Sequence, residues 1–248
     1  MPLTILILSL AAMLAGFIDS IAGGGGLILI PALILGGIPP QSALGTNKFI
    51  SSLGTSTAVI NFIKEKKIAW RIAAYGIPFA LVGSFLGGKA ILAVDEALIG
   101  KMIIFLVPIA LVVTLLPKKN GPSIEITGTK LFILTAVACL AIGFYDGFFG
   151  PGTGSFLILA FHFLIKLDLI HASGTSKIFN LASGIGALII FAINGKVLLL
   201  YGIPLAIANI IGNYLGSRLA IRHGTKFIRA TLVVSLMILM VSLVVKYY

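Results

Sequence analysis

Gly16-Phe17-Ile18-Asp19, then Gly23-Gly24-Gly25-Gly26, then Gly45-Thr46-Asn47-Lys48 returns later as Gly143-Phe144-Tyr145-Asp146, Gly150-Pro151-Gly152 and Gly174-Thr175-Ser176-Lys177. Each copy sets an aspartate, a glycine-rich break and a lysine inside otherwise apolar sequence. Ionisable groups at bilayer depth are costly and mark function by default. Their recurrence at matching positions predicts one polar site where two repeats meet, as in many secondary transporters.

The surrounding sequence supports a membrane protein. The 248 residues are 59% hydrophobic and only 10% charged, against about a quarter charged in a soluble domain. Apolar segments run over 3–22, 27–38, 42–63, 68–93 and 97–116, then over 131–149, 154–165, 169–193, 197–220 and 227–246. Most are long enough to cross a hydrocarbon core of about 30 Å. Residues 3–22 lack a basic start, so they read as a retained membrane segment and not a leader. The expected fold is an all-α polytopic membrane protein of two repeats, 1–116 and 131–248, joined by a polar linker over 117–130.

The repeats align beyond the opening motifs. Tyr75-Gly76-Ile77-Pro78 returns as Tyr201-Gly202-Ile203-Pro204, and Gly83, Leu86 and Gly87 return as Gly212, Leu215 and Gly216. Charge predicts their orientation. The connection Lys64-Glu65-Lys66-Lys67 and the linker with Lys118 and Lys119 are basic, whereas Asp95 and Glu96 lie between them. In the second half the pattern reverses, with Arg218, Arg222, Lys226 and Arg229 at the counterpart of the acidic connection. Basic loops favour the cytoplasm, so equivalent loops fall on opposite sides and the repeats are expected to be inverted. Segments 27–38 and 154–165 are short and either span as half-helices or re-enter, which allows eight to ten crossings.

Net charge is +11, but its placement in short connections follows the positive-inside bias, and no nucleic-acid partner is expected. The expected partners are the lipid bilayer and a small anionic substrate; a homodimer is left open. No nucleophile elbow, paired metal-ligating His or P-loop lysine is present, so neither an enzyme nor a nucleotide-driven pump is indicated. No metal or other cofactor is expected. Cys139 is the one cysteine and reads as a packed thiol.

The candidate substrate-binding residues follow from this pattern. Gly24, Gly25 and Gly26, with Gly152, Thr153 and Gly154, interrupt helices where unwound backbone must be buried or line a wet cavity. A helix opening at Leu27 would turn its free amides toward an anion; close helix packing is the alternative. Lys48 and Lys177 either contact the substrate or pair with Asp19 and Asp146 to hold helices together. The two aspartates are a coupling or a structural ion pair. Asn47, Ser176 and Asn180 add hydrogen-bond donors.

These motifs resemble the TauE/SafE sulfite exporter family, also called the toluene sulfonate uptake permeases. The second copy, Gly143-Phe144-Tyr145-Asp146-Gly147-Phe148-Phe149-Gly150-Pro151-Gly152-Thr153-Gly154, is the more specific, followed by Ala172-Ser173-Gly174-Thr175-Ser176-Lys177. The resemblance implies an inner-membrane carrier for sulfite, organosulfonates or related small sulfur anions. From the two repeats such a carrier is expected to work by alternating access and to draw on an ion or proton gradient. An anion channel of the same fold and a non-transporting membrane scaffold are the alternatives.

Overall fold

The computed structural model describes residues 2–96, 98–99 and 127–247. All of the expected segment 97–116 except residues 98–99, and most of the 117–130 linker, lie outside the described residues. Within them the chain is helical, with no strand. α1 (Pro2–Ala22) ends where Gly23 and Gly24 take positive φ values of 77° and 101°, which side chains with a Cβ rarely adopt. α2 (Gly26–Leu35) is 10 residues, about 15 Å of helix. α3 (Pro40–Lys64) opens on a proline, which suits a first helical position. α4 (Trp70–Leu92) closes the described part of the first half.

The second half repeats this order. α5 (Gly128–Phe148) ends before Gly150 and Gly152, with φ of 94° and 84°. α6 (Thr153–Phe163) is the short helix. α7 (Leu169–Ile193) starts at Asp168, whose carboxylate accepts from the Ile170 and His171 amides. α8 (Leu199–Tyr247) joins the expected segments 197–220 and 227–246, with a non-helical residue, Gly224, between them. Among the described residues five stretches are long and apolar enough to cross a membrane: Leu3–Ala22, Trp70–Leu92, Gly128–Phe148, Leu169–Ile193 and Leu199–Gly224. α3 matches them in length but buries Gln41, Asn47, Lys48, Thr55 and Asn61. It tolerates those groups because protein surrounds it.

Packing follows the internal repeat contact by contact. α4 lies on α5 with Gly83 and Gly87 against the Leu140 and Phe144 backbone; α8 lies on α1 with Gly212 and Gly216 against the Met13 and Phe17 backbone. A Cβ at any of these four glycines would strike main chain, so glycine sets the close approach. The Gly-Thr pairs before the lysines are explained in the same way. Gly45 admits the Lys196 carbonyl and Thr46 Oγ1 accepts from the Leu198 amide at 3.0 Å. Gly174 admits the Lys67 carbonyl and Thr175 Oγ1 accepts from the Ala69 amide at 3.0 Å. Each motif thus receives the connection that leads into the fourth described helix of the opposite half.

The apolar clusters show how the helices group. Leu8, Ala12, Leu29, Leu33, Ile50 and Leu205 bind α1, α2, α3 and α8 into one body. Ile72, Leu131, Cys139, Leu157, Phe161 and Phe179 bind α4, α5, α6 and α7 into another. Each body therefore contains three helices of one half and one helix of the other. Two further clusters join the bodies. One gathers Leu44, Ile91, Phe149, Ala187 and Phe191, and the other Ile21, Val59, Phe62, Ala73 and Ile178.

Candidate functional site

α3 and α7 run side by side between the bodies. Gly184 lies against Ser52 and Gly174 against Phe62, so the two helices are antiparallel. Both carry a lysine. The Lys48 ammonium on α3 is 2.8 Å from Asp146 Oδ1 on α5, and their side chains are 4% and 7% exposed. Ser183 on α7 donates to the other oxygen of Asp146 at 2.7 Å. The Lys177 ammonium on α7 is 3.8 Å from Asp19 Oδ2 on α1 and donates to the main-chain carbonyl of Asp19. Both pairs cross from one half of the sequence to the other, and both cross between the bodies.

The two glycine breaks also meet. Gly23 packs on the backbone of Gly154 and Ser155, leaving no space for a Cβ. Ser155 Oγ donates to the Ala22 carbonyl at 2.9 Å, satisfying an acceptor at the end of α1. Beside this contact is a hollow with space for water centres of about 30 Å³, enough for about two water molecules. Its wall includes nine of the expected residues: Asp19, Gly24, Gly26, Asn47, Lys48, Asp146, Thr153, Gly154 and Asn180.

Four expected residues stand elsewhere. Gly25 is behind the wall, where its amide donates to Asp19 Oδ1 at 3.2 Å and a Cβ would strike the Ala15 carbonyl. Gly152 takes the left-handed turn that starts α6. Ser176 is fully buried and donates to the Ser173 carbonyl at 2.7 Å. Lys177 is fully buried and bound to Asp19. The amide expected to be free at Leu27 is bonded to the Gly24 carbonyl at 2.9 Å, because α2 starts one residue earlier, at Gly26.

The wall also includes Ser51, Thr55, Gly150 and Gly184, of which Ser51, Thr55 and Gly184 were not singled out from sequence. The signal was helical spacing. From Asn47 and Lys48, steps of three or four residues reach Ser51 and Thr55; from Lys177 they reach Asn180 and Gly184.

Chemically the wall offers one ammonium, amide and hydroxyl donors, and two carboxylates. Such a set can hydrogen-bond a small oxyanion at several oxygens. The apolar clusters flank it along α3 and α7. Leu44 with Ala187 and Phe191 lies beyond one end, and Val59 and Phe62 with Ile178 beyond the other. Among the described residues no group of three or more His, Cys, Asp or Glu side chains could hold a metal ion.

The model of the sulfite exporter TauE/SafE family matches residues 8–243. The chain is 39% identical to the probable membrane transporter protein YfcA of Escherichia coli K12 over 235 residues, 94% of this chain and 87% of that protein. It is 34% identical to a probable membrane transporter protein of Haemophilus influenzae, over 92% of this chain and 89% of the relative. With the probable membrane transporter protein YdhB of Bacillus subtilis it shares 24% identity, over 87% and 89%. No solved structure matches the chain.

Proposed function

The chain belongs to the sulfite exporter TauE/SafE family and is a multi-pass membrane transporter, and from that premise we propose that it carries sulfite or a related small sulfur oxyanion by alternating access. One observation carries the reading. Lys48 reaches a polar hollow between two helix bodies, and the links beside that hollow include two ion pairs, a hydrogen bond and glycine backbone. Such links can be remade when the bodies shift, whereas interdigitated apolar side chains at the same depth would resist it.

The substrate anion would accept from Lys48, Asn47 and Asn180, with the start of α2 at Gly26 adding a backbone donor; the Thr153 hydroxyl and amide both donate to the Gly150 carbonyl. The opposite charge bias of equivalent loops supports inverted repeats, and the exchange of contacts between the halves is consistent with that symmetry. Apolar clusters at both ends of the hollow favour a carrier over an open pore. A hollow of this size suits a closed state, and an organosulfonate needs the bodies to separate. The bacterial inner membrane is the proposed location, and the chemistry invoked is transport with no catalytic step.

The test is a thermal-shift screen of the purified protein against sulfite, sulfate, thiosulfate, sulfoacetate and taurine, followed by counterflow of the stabilising anion from preloaded vesicles. A ligand at a hundredfold excess over its dissociation constant adds about 2.7 kcal/mol of stability. Saturable counterflow supports the carrier. A shift with no exchange leaves a binding protein, and stabilisation by none of the five removes the sulfur anion from the proposal.

A further inference from the structure

The hollow and its two ion pairs hold Lys48, Lys177, Asp19 and Asp146, so their formal charges cancel before any anion enters. A singly charged anion would leave the cluster at −1 in surroundings that solvate net charge poorly. Neutrality returns if one carboxylate takes up a proton in the same step, and the two are not equivalent.

Asp146 is tightly held, with Lys48 at 2.8 Å and the Ser183 hydroxyl at 2.7 Å. Asp19 has longer contacts, with Lys177 at 3.8 Å and the Thr55 hydroxyl at 3.5 Å on Oδ2 and the Gly25 amide at 3.2 Å on Oδ1. Its side chain is also the more open to the hollow, 13% exposed against 7%. The lysines differ in the same sense. If Asp146 were neutralised, Lys48 would lose the charge of its partner. If Asp19 is neutralised, Lys177 keeps its bond to the main-chain carbonyl of Asp19, which no protonation removes. Among the described residues the charged groups facing Asp19 are Lys177 from α7 and, across the hollow, Lys48 from α3 and Asp146 from α5; the lining from α2 and α6 adds none, and α8 packs on α1 through Gly212 and Gly216 and lines no part of the hollow.

We propose that Asp19, and not Asp146, takes up the proton that accompanies the anion, one proton for each singly charged anion carried. The proton adds to Oδ2 as the anion reaches Lys48, and it leaves to water when the anion departs on the other side. The inference rests on the transporter reading above and assigns the coupling ion and its site within it.

Two measurements test it. Dicyclohexylcarbodiimide, an apolar reagent, adds to protonated carboxyl groups in membranes and not to carboxylates. Peptide mapping of the wild-type protein by mass spectrometry should show an adduct on Asp19 that rises several-fold when methanesulfonate is added at constant pH, with none on Asp146. An adduct on Asp146 in its place, or on neither, overturns the assignment.

The second measurement uses proteoliposomes and two probes, sulfite and methanesulfonate, the second of which keeps one negative charge at every pH used. With one-to-one coupling, a gradient of one pH unit should accumulate methanesulfonate about tenfold, since each unit is a tenfold ratio of protons. In Asp19→Asn the ratio of accumulation with the gradient to accumulation without it should fall to about one, whatever the absolute rate. A ratio that stays high sinks the role of Asp19. Wild-type counterflow with no response to the gradient, or a response to sodium alone, sinks proton coupling but leaves the transporter. Absence of wild-type counterflow of either probe sinks the transporter reading itself. If Asp19→Asn is not recovered folded, the carbodiimide map of the wild type decides.

Discussion

Lys48→Met should separate the structural part of the Lys48–Asp146 pair from its part in binding. Removing the ammonium leaves the Asp146 carboxylate, 7% exposed, with Ser183 as its described partner. Breaking one side of a buried pair costs roughly 3–5 kcal/mol, because the remaining charge stays buried without compensation. For a chain of this size that is a fall of about 6–20 °C in Tm. Asp146→Asn should cost a similar amount, since it strands an ammonium that is 4% exposed. The double variant Lys48→Met/Asp146→Asn removes both charges, and the amide oxygen that replaces the carboxylate can still accept from Ser183. It should melt within about 1 kcal/mol of the wild type, a coupling of about 5 kcal/mol or more by double-mutant cycle. The ligand arm then decides the role: the double variant should fold and yet show no stabilisation by sulfite. If Lys48→Met alone melts as the wild type does, the pair is not buried as described. If the double variant regains the sulfite shift, Lys48 is a strut and the proposed anion contact is refuted.

Further outcomes follow from neighbouring geometry. Gly23→Ala should cost well over 3 kcal/mol, because its φ of 77° already costs an L-residue about 1–2 kcal/mol and its Cβ meets the Gly154 backbone. Gly195→Ala, at φ 67° with open space around it, should cost only that first amount; equal melting temperatures would refute the close approach of the breaks. Ser176→Ala should cost under about 1 kcal/mol and leave the sulfite shift intact, since Ser176 bonds to Ser173 and does not reach the hollow. Asn180→Ala should weaken binding about tenfold, a loss of one neutral hydrogen bond; the reverse ranking would place the site elsewhere. Asp168 lies outside the spans. Burial works to raise its pKa, but bonds from the His171 amide and ring, the charge of His171 and the Ile170 amide outweigh this and hold it below 3.8. A depressed carboxylate stabilises the fold above its unfolded value and loses that contribution as pH falls through the folded value. Asp168→Ala should therefore cost about 1 kcal/mol at pH 5, as loss of a helix cap does. The difference from wild type in thermal melts should shrink below pH 3.8; a difference that grows in acid would contradict the sign.

Much of this arrangement is legible from residue types. Asp19, Lys48, Asp146 and Lys177 are expensive in apolar sequence, so their positions alone point to a shared polar region. The positive-φ glycines end α1 and α5 where the sequence breaks do. What repeat symmetry hides is inequality. Lys48 and Lys177 occupy equivalent places, yet one lines the hollow and the other is enclosed behind it. The difference arises two turns away, where α3 carries Ser51 and Thr55 while the matching face of α7 carries Asn180 and Gly184. It also arises from Ser183, which draws Asp146 toward α7. Side-chain volume and hydrogen-bond choice among neighbours decide such matters, and a motif comparison does not register them. Thr46 and Thr175 make the same point. They look like substrate donors beside a lysine, but each accepts from the last amide of a distant connection, Leu198 for Thr46 and Ala69 for Thr175.

The exchanged helices give the likeness between the halves its mechanical meaning. If each half packed only on itself, the linker would be the hinge and the site would be a seam between two independent bundles. Instead α4 belongs with α5, α6 and α7, and α8 belongs with α1, α2 and α3, so each body is tied to the other by chain as well as by contact. The loops Lys64–Ala69 and Asn194–Leu198 are those ties, and the Gly-Thr pairs receive them one turn from Lys48 and Lys177. A shift of one body against the other must therefore pull on the turn that carries each lysine. It must also trade the Leu44–Phe191 contacts at one end of the hollow against the Phe62–Ile178 contacts at the other. Glycine backbone at the crossing of the breaks is the part of that interface with the fewest side chains to unlock. The residues that cost most to bury thus sit beside the glycine crossing, which is the arrangement the proposed alternating access requires.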